Sequence, residues 1–77
     1  MGTIQEQFGL RVRDLRKRRG WTQEQLAEAA GRHWTYIGGI ERGERNVTLQ
    51  VVADVARALN VDIEELFRGL GDTKTKR

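Results

Sequence analysis

"TQEQLAEAAGRHWTYIGGIE", Thr22 to Glu41, holds a helix start, a helix stop and a second helix. Its first four residues fit a capping box, in which the Thr22 hydroxyl and the Gln25 amide satisfy backbone donors reciprocally. The helix that follows, predicted at about 23–30, carries Leu26, Ala27 and Ala30 on its apolar face and stops at Gly31. Ile37 and Ile40 then stand three apart and Gly43 supplies another stop, so a short helix is predicted at about 34–42. The small Ala27 and Ala30 let the two helices approach closely around the turn. Gly38 and Gly39 fall inside the second helix, where each costs about 1 kcal/mol relative to alanine. Something other than helix propensity must account for that pair.

Outward from this core, the same punctuation divides the rest of the chain. "TIQE" at Thr3 to Glu6 is a capping box that opens a first helix, with Phe8, Val12 and Leu15 on one face and a stop near Gly20. Thr48 caps a fourth helix, "LQVVADVARAL", whose stripe is read as Leu49, Val52, Ala53, Ala56 and Leu59, with Asn60 ending it. "DIEE" at Asp62 to Glu65 is read as a further box, followed by Leu66, Phe67 and Leu70 in a short fifth helix. Proline is absent and no segment alternates with strand period, so the expected class is all-α, a compact five-helix domain over residues 1–70. Residues 71–77, "GDTKTKR", are expected to be a polar, frayed tail. A capped helix, a turn containing Gly31 and a second helix with apolar anchors make the helix-turn-helix layout, although a two-helix corner in any small bundle has the same outline.

Composition narrows the function. A chain of 77 residues is one small domain with little room for an enclosed active site. With no cysteine and one histidine, His33, neither a disulfide framework nor a metal site is expected, and no cofactor or small-molecule ligand. There is no phosphate-cradling glycine loop, no nucleophile beside a base and no carboxylate pair that the helices bring together, so catalysis is not expected. No apolar run approaches the roughly 20 residues that cross a bilayer, and a cytoplasmic location away from membranes is expected. The net charge of +3 is unevenly placed: Arg11 to Arg19 holds six basic residues against one acid, whereas "VDIEEL" at 61–66 is acidic. Such polarity fits a polyanion on one side, and it equally fits basic residues completing a helix dipole.

"LAEAAG", "TYI" and "IERGERN" resemble the Cro and phage-repressor class of helix-turn-helix regulators, the XRE type, and within it the small controller proteins of restriction-modification systems. The likeness covers roughly residues 8 to 67. It implies a lambda-repressor-like domain that binds double-stranded DNA as a homodimer on a roughly palindromic operator, with the helix at 34–42 in the major groove of each half-site. Regulation of its own gene is implied by the controller likeness alone. An interaction module, such as an antitoxin or a coactivator-like adaptor, is the competing class, and a dedicated partner-binding extension would distinguish it.

Residue by residue, the resemblance assigns base reading to Trp34, Thr35, Gly39, Arg45 and Asn46, and DNA-backbone contact to Gln23, Arg32, Tyr36 and Gly38. Relatives often carry arginine or glutamine where Trp34 stands; an indole has one donor, so a thymine methyl, the sugar-phosphate or the protein core are its options. Gly38 and Gly39 are read as clearance for DNA, or as close packing within the domain. Gln23 clamps a phosphate or supports the Thr22 cap, and Arg32 supplements the clamp or packs its stem. Arg16, Lys17, Arg18 and Arg19 add phosphate contacts if the first helix ends near DNA. His33 is a helix-entry residue, and Glu41 is read as the partner of an arginine on the first helix. Val61, Ile63, Leu66 and Leu70 are the dimer-interface candidates, with intramolecular core as their alternative.

Overall fold

The computed structural model describes residues 2–71, and the rest of the expected tail, 72–77, lies outside the described residues. Four α-helices form: α1 (Ile4–Arg18), α2 (Gln23–Ala30), α3 (Trp34–Glu41) and α4 (Leu49–Leu59), followed by a 3₁₀ segment at Ile63–Phe67. The two boxes expected at Thr3 and Thr22 are both closed, each threonine hydroxyl accepting from the backbone N–H of the residue three on while its own N–H donates to that residue's side-chain oxygen. Gly31 ends α2 at φ 71°, a left-handed conformation that a residue with a Cβ adopts only under strain.

The fifth element differs from the sequence expectation. It is 3₁₀ rather than α, and Asp62 makes no capping bond. The carboxylate that would close the box is taken elsewhere: Glu65 pairs with Arg11 Nη2 at 3.0 Å and with Arg68 Nη2 at 2.6 Å, while its carbonyl accepts from Arg11 Nε at 2.7 Å. A contact across the fold thereby outcompetes a local cap.

One core holds these elements together. Phe8, Val12 and Leu15 of α1, Leu26 and Ala27 of α2, Ile37 and Ile40 of α3 and the inner face of α4 meet in it. On α4 that face is Val51, Val52, Val55, Ala56 and Leu59, whereas Leu49, expected in the stripe, is 86% exposed. At 100° per residue Leu49 stands roughly a quarter turn from the centre of the buried face, and no other helix covers that end. Leu66, named for the dimer interface with core as its alternative, takes that alternative: it is fully buried and belongs to this core, with Val61 and Leu70 packed partly against it. Ile63 remains half exposed.

Gly9 permits the crossing that sets α3 in place. A Cβ there would fall onto the carbonyl oxygens of Ile40 and Glu41, the latter at 2.6 Å, so only glycine lets α1 lie directly on the end of α3. The tail begins in contact with the domain, since Gly71 donates its backbone N–H to Gln7 Oε1 at 2.9 Å.

Candidate nucleic-acid interface

The helix predicted to read DNA is fixed from behind. Ile37 and Ile40 are sunk in the core, and the last residue of α3, Glu41, is buried among polar partners. Arg16 holds it with a two-pronged bond, Nε to Oε2 at 2.6 Å and Nη2 to Oε1 at 2.9 Å, and spends a third donor on the Trp21 carbonyl at 2.8 Å. Gln23, the first residue of α2, adds Nε2 to Glu41 Oε1 at 3.0 Å. The expected partner of Glu41 on the first helix is therefore Arg16. Its pKa is raised above the ordinary arginine value chiefly by this hydrogen bond, against the opposing effect of burial. Arg16 thus stabilises the fold instead of standing free for phosphate.

The outer end of α3 is open. His33 caps it, accepting the Thr35 backbone N–H on Nδ1 at 3.2 Å, with the Thr35 hydroxyl 2.8 Å from the same nitrogen. Trp34, in the first turn, is 49% exposed and its ring stacks on His33, with centroids 6.0 Å apart. The core alternative for Trp34 does not hold. Thr35 is likewise exposed, and Tyr36 is half-buried against the core.

Arginines line the edge of this helix. A shallow cleft of about 280 Å³ is bounded by Arg13, Arg16, Gln23, Glu41 and Arg42, and the exposed Arg13 and Arg42 flank the half-buried Gln23. Neither Arg13 nor Arg42 was singled out by sequence, although Arg13 precedes Arg16 by one helical turn and Arg42 lies within the quoted "IERGERN" run. Arg42 is paired with Glu44, at 3.0 Å and 3.2 Å. That bond lowers the Glu44 pKa and raises the Arg42 pKa.

Other candidate contact residues have partners within the fold. Arg32 reaches back to Asp54 of α4 at 2.5 Å, leaving its own Nε buried without a partner. The Asp54 carboxylate is only 13% exposed and also accepts from Arg57 and Gln50. Arg19 lies over the Trp21 ring at 4.2 Å and donates to the Leu59 carbonyl at 3.2 Å, and Arg18 pairs with Asp14 at 2.9 Å. Asn46 is exposed, but its Oδ1 accepts from Gln5 of α1. Arg45 is exposed and stands over the Tyr36 ring, 5.2 Å from its centroid.

Among the described residues no group of three or more His, Cys, Asp and Glu side chains is placed to hold a metal ion, and no helix is long and apolar enough to cross a membrane.

Known proteins share this fold. A family model described as a helix-turn-helix domain matches residues 7–68. The control protein C.SmaI of Serratia marcescens is 46% identical over 68 residues, covering 88% of this chain and 81% of that protein. The crystal structure of the restriction-modification controller protein C.AhdI from Aeromonas hydrophila superposes with a TM-score of 0.81 at 44% identity, over 82% of this chain and 96% of that one. The controller C.Esp1396I, in its structure bound to a 25 base pair operator site, superposes with a TM-score of 0.78 at 29% identity, over 88% and 90% of the two chains. With its capped α2, its left-handed Gly31 turn and its buttressed α3, the chain belongs to the helix-turn-helix domain family, and within it stands among relatives of the restriction-modification controller proteins.

Proposed function

We propose that this chain is a sequence-specific, double-stranded-DNA-binding transcriptional regulator that acts as a homodimer on a roughly palindromic operator, with the controller likeness pointing to autoregulation within a restriction-modification system. The observation that carries the reading is the contrast along α3: its inner face is buried and braced through Glu41, while Trp34 and Thr35 stand exposed at its first turn. A helix held in that way presents side chains to a groove floor without losing its own anchorage. C.Esp1396I, similar over most of its length, has a solved structure bound to a 25 base pair operator site, which supports the same class of ligand here.

Under this reading Trp34 and Thr35 face base edges, with the indole suited to a thymine methyl and the threonine to a methyl or a polar edge. Arg45 reads a guanine or holds a phosphate from the loop after α3. Gln23, with Arg13 and Arg42 beside it, meets the backbone that flanks the groove, and these contacts set register without specifying sequence. Tyr36 and Asn46 form the remaining edge of the reading surface, and the buried Gly38 and Gly39 lie behind it.

An eight-residue helix spans only about 12 Å, enough for a few base pairs. Specificity then calls for two copies on half-sites about one DNA turn apart. Since Leu66 is in the core, the surface for the second copy falls to the exposed Ile63 and its neighbour Phe67, which is 42% exposed. Selection of bound duplexes from a random pool, followed by sequencing, tests the proposal. Inverted half-sites at a fixed spacing are expected; bound DNA with no shared sequence, released steeply by salt, would reduce the surface to nonspecific attraction.

A further inference from the structure

Gly39 is buried midway along α3, and a side chain from beyond the helix fills the space above it. A Cβ built on Gly39 would lie 3.1 Å from Arg45 Nε and 3.3 Å from Arg45 Cγ. The same guanidinium stands over the Tyr36 ring. Tyr36 and Gly39 are one helical turn apart and share a face, so the ring and the gap form a single trough along α3 in which Arg45 lies. Gly38, next along, is open to a different set of atoms: its Cβ would meet Arg42 Nη1 at 3.1 Å and Gln23 Oε1 at 3.5 Å. The two adjacent glycines therefore admit two different arginines.

We propose that Gly39 and Tyr36 are positioning residues for Arg45, holding its side chain along α3 before DNA arrives so that it reaches its target already ordered. The proposal rests on the reading that Arg45 contacts DNA. It replaces the expectation that Gly39 makes room for the DNA itself: the room is occupied by protein. A long, rotamer-rich arginine loses conformational freedom whenever it is fixed at an interface, and a trough that fixes it in the free protein removes part of that cost from binding. The arginine stem also borders a groove with Ile4, Gln5 and Phe8 of α1, which limits where the side chain can swing once displaced.

A double-mutant cycle separates the possibilities, using a duplex selected by the wild-type chain from a random pool. Gly39→Ala adds one methyl against Arg45 and favours the helix, so folding is retained. With Arg45 present, this change is expected to weaken binding about five- to twentyfold, and in the Arg45→Ala background by less than about twofold. An equal loss in both backgrounds would mean that the methyl meets DNA directly and would overturn the proposal. Full binding by Arg45→Ala would also overturn it, by removing the contact that the trough serves; recovery of paired half-sites would still stand as the separate test of the regulator reading. In the free protein, the Arg45 side-chain protons should show an upfield ring-current shift in NMR spectra, lost in Tyr36→Leu and reduced in Gly39→Ala. Unshifted Arg45 resonances in the wild-type chain would overturn the proposal without reference to DNA.

Discussion

Glu41 closes α3 by accepting two hydrogen bonds from Arg16, at 2.6 Å and 2.9 Å, across 25 residues of sequence. The pair is buried on both sides, its side chains being 10% and 4% exposed. Removing one partner of such a pair strands the other charge, which costs about 3–5 kcal/mol. Glu41→Ala is therefore expected to lower unfolding free energy by about that amount, a large share of the roughly 5–15 kcal/mol that holds a domain together. Urea denaturation checks this; a loss below about 1 kcal/mol would place the pair in effect at the surface.

Leu66 and Ile63 sit three residues apart and should behave as opposites. Leu66→Ala opens a cavity in the core and is expected to cost about 2–5 kcal/mol, independent of protein concentration. Ile63→Ala should change the stability of a single chain by about 0.5 kcal/mol or less while weakening self-association. Thermal melts at several concentrations and sedimentation equilibrium distinguish the two; a concentration-dependent loss at Leu66 would restore it to the interface.

Glu44 places a negative charge beside Arg42 just past the end of α3. Glu44→Gln should free that guanidinium for phosphate, raising affinity about two- to fivefold on any duplex and steepening its dependence on salt. Titrations of matched and unrelated duplexes at two ionic strengths give the answer, and an unchanged salt slope would remove Arg42 from the DNA contacts.

Asp54 has a pKa lowered to about 2, first by its bond to Arg57, then by Arg32 and Gln50. Because the folded value lies below the ordinary 3.8, the carboxylate contributes stability that is complete above about pH 5 and fades as pH falls through about 4 and past 2. The stability difference between the wild-type chain and Asp54→Asn should therefore be constant near neutrality and narrow across that acid window. Denaturation at stepped pH measures it; a difference that persists unchanged to pH 2 would contradict the assigned partners.

What could be read from sequence were the features decided within one helical turn. The boxes at Thr3 and Thr22 form because their partners lie three residues away, and Gly31 stops α2 because its own backbone turns left-handed. Asp62 has the same pattern, yet its box fails because Arg11, 54 residues distant, holds Glu65. Leu49 is misplaced for a related reason: the heptad-like stripe of α4 can be drawn through Leu49 or through Val51 and Val55, and only the packing of α2 and the 3₁₀ segment against α4 selects the second. At the candidate interface, the exposure of Thr35 follows from its place opposite Ile37 and Ile40, whereas Trp34, one turn before Ile37, is exposed because it stands at the open first turn of α3. The lodging of Arg45 on Tyr36 and Gly39 depends on the path of the loop after Gly43, which no local pattern encodes. Arg32 looks free in the turn until the fold brings Asp54 beneath it.

The most direct test of the central claim compares the wild-type chain with the Trp34→Ala, Thr35→Ala double variant on two duplexes, one selected from a random pool and one of scrambled sequence, across a range of salt. If the start of α3 reads bases, affinity for the selected duplex should fall by about 1–3 kcal/mol or more, while binding to the scrambled duplex and its salt slope stay as they were. Equal losses on both duplexes, or none on either, would contradict the assignment of α3 as the reading helix.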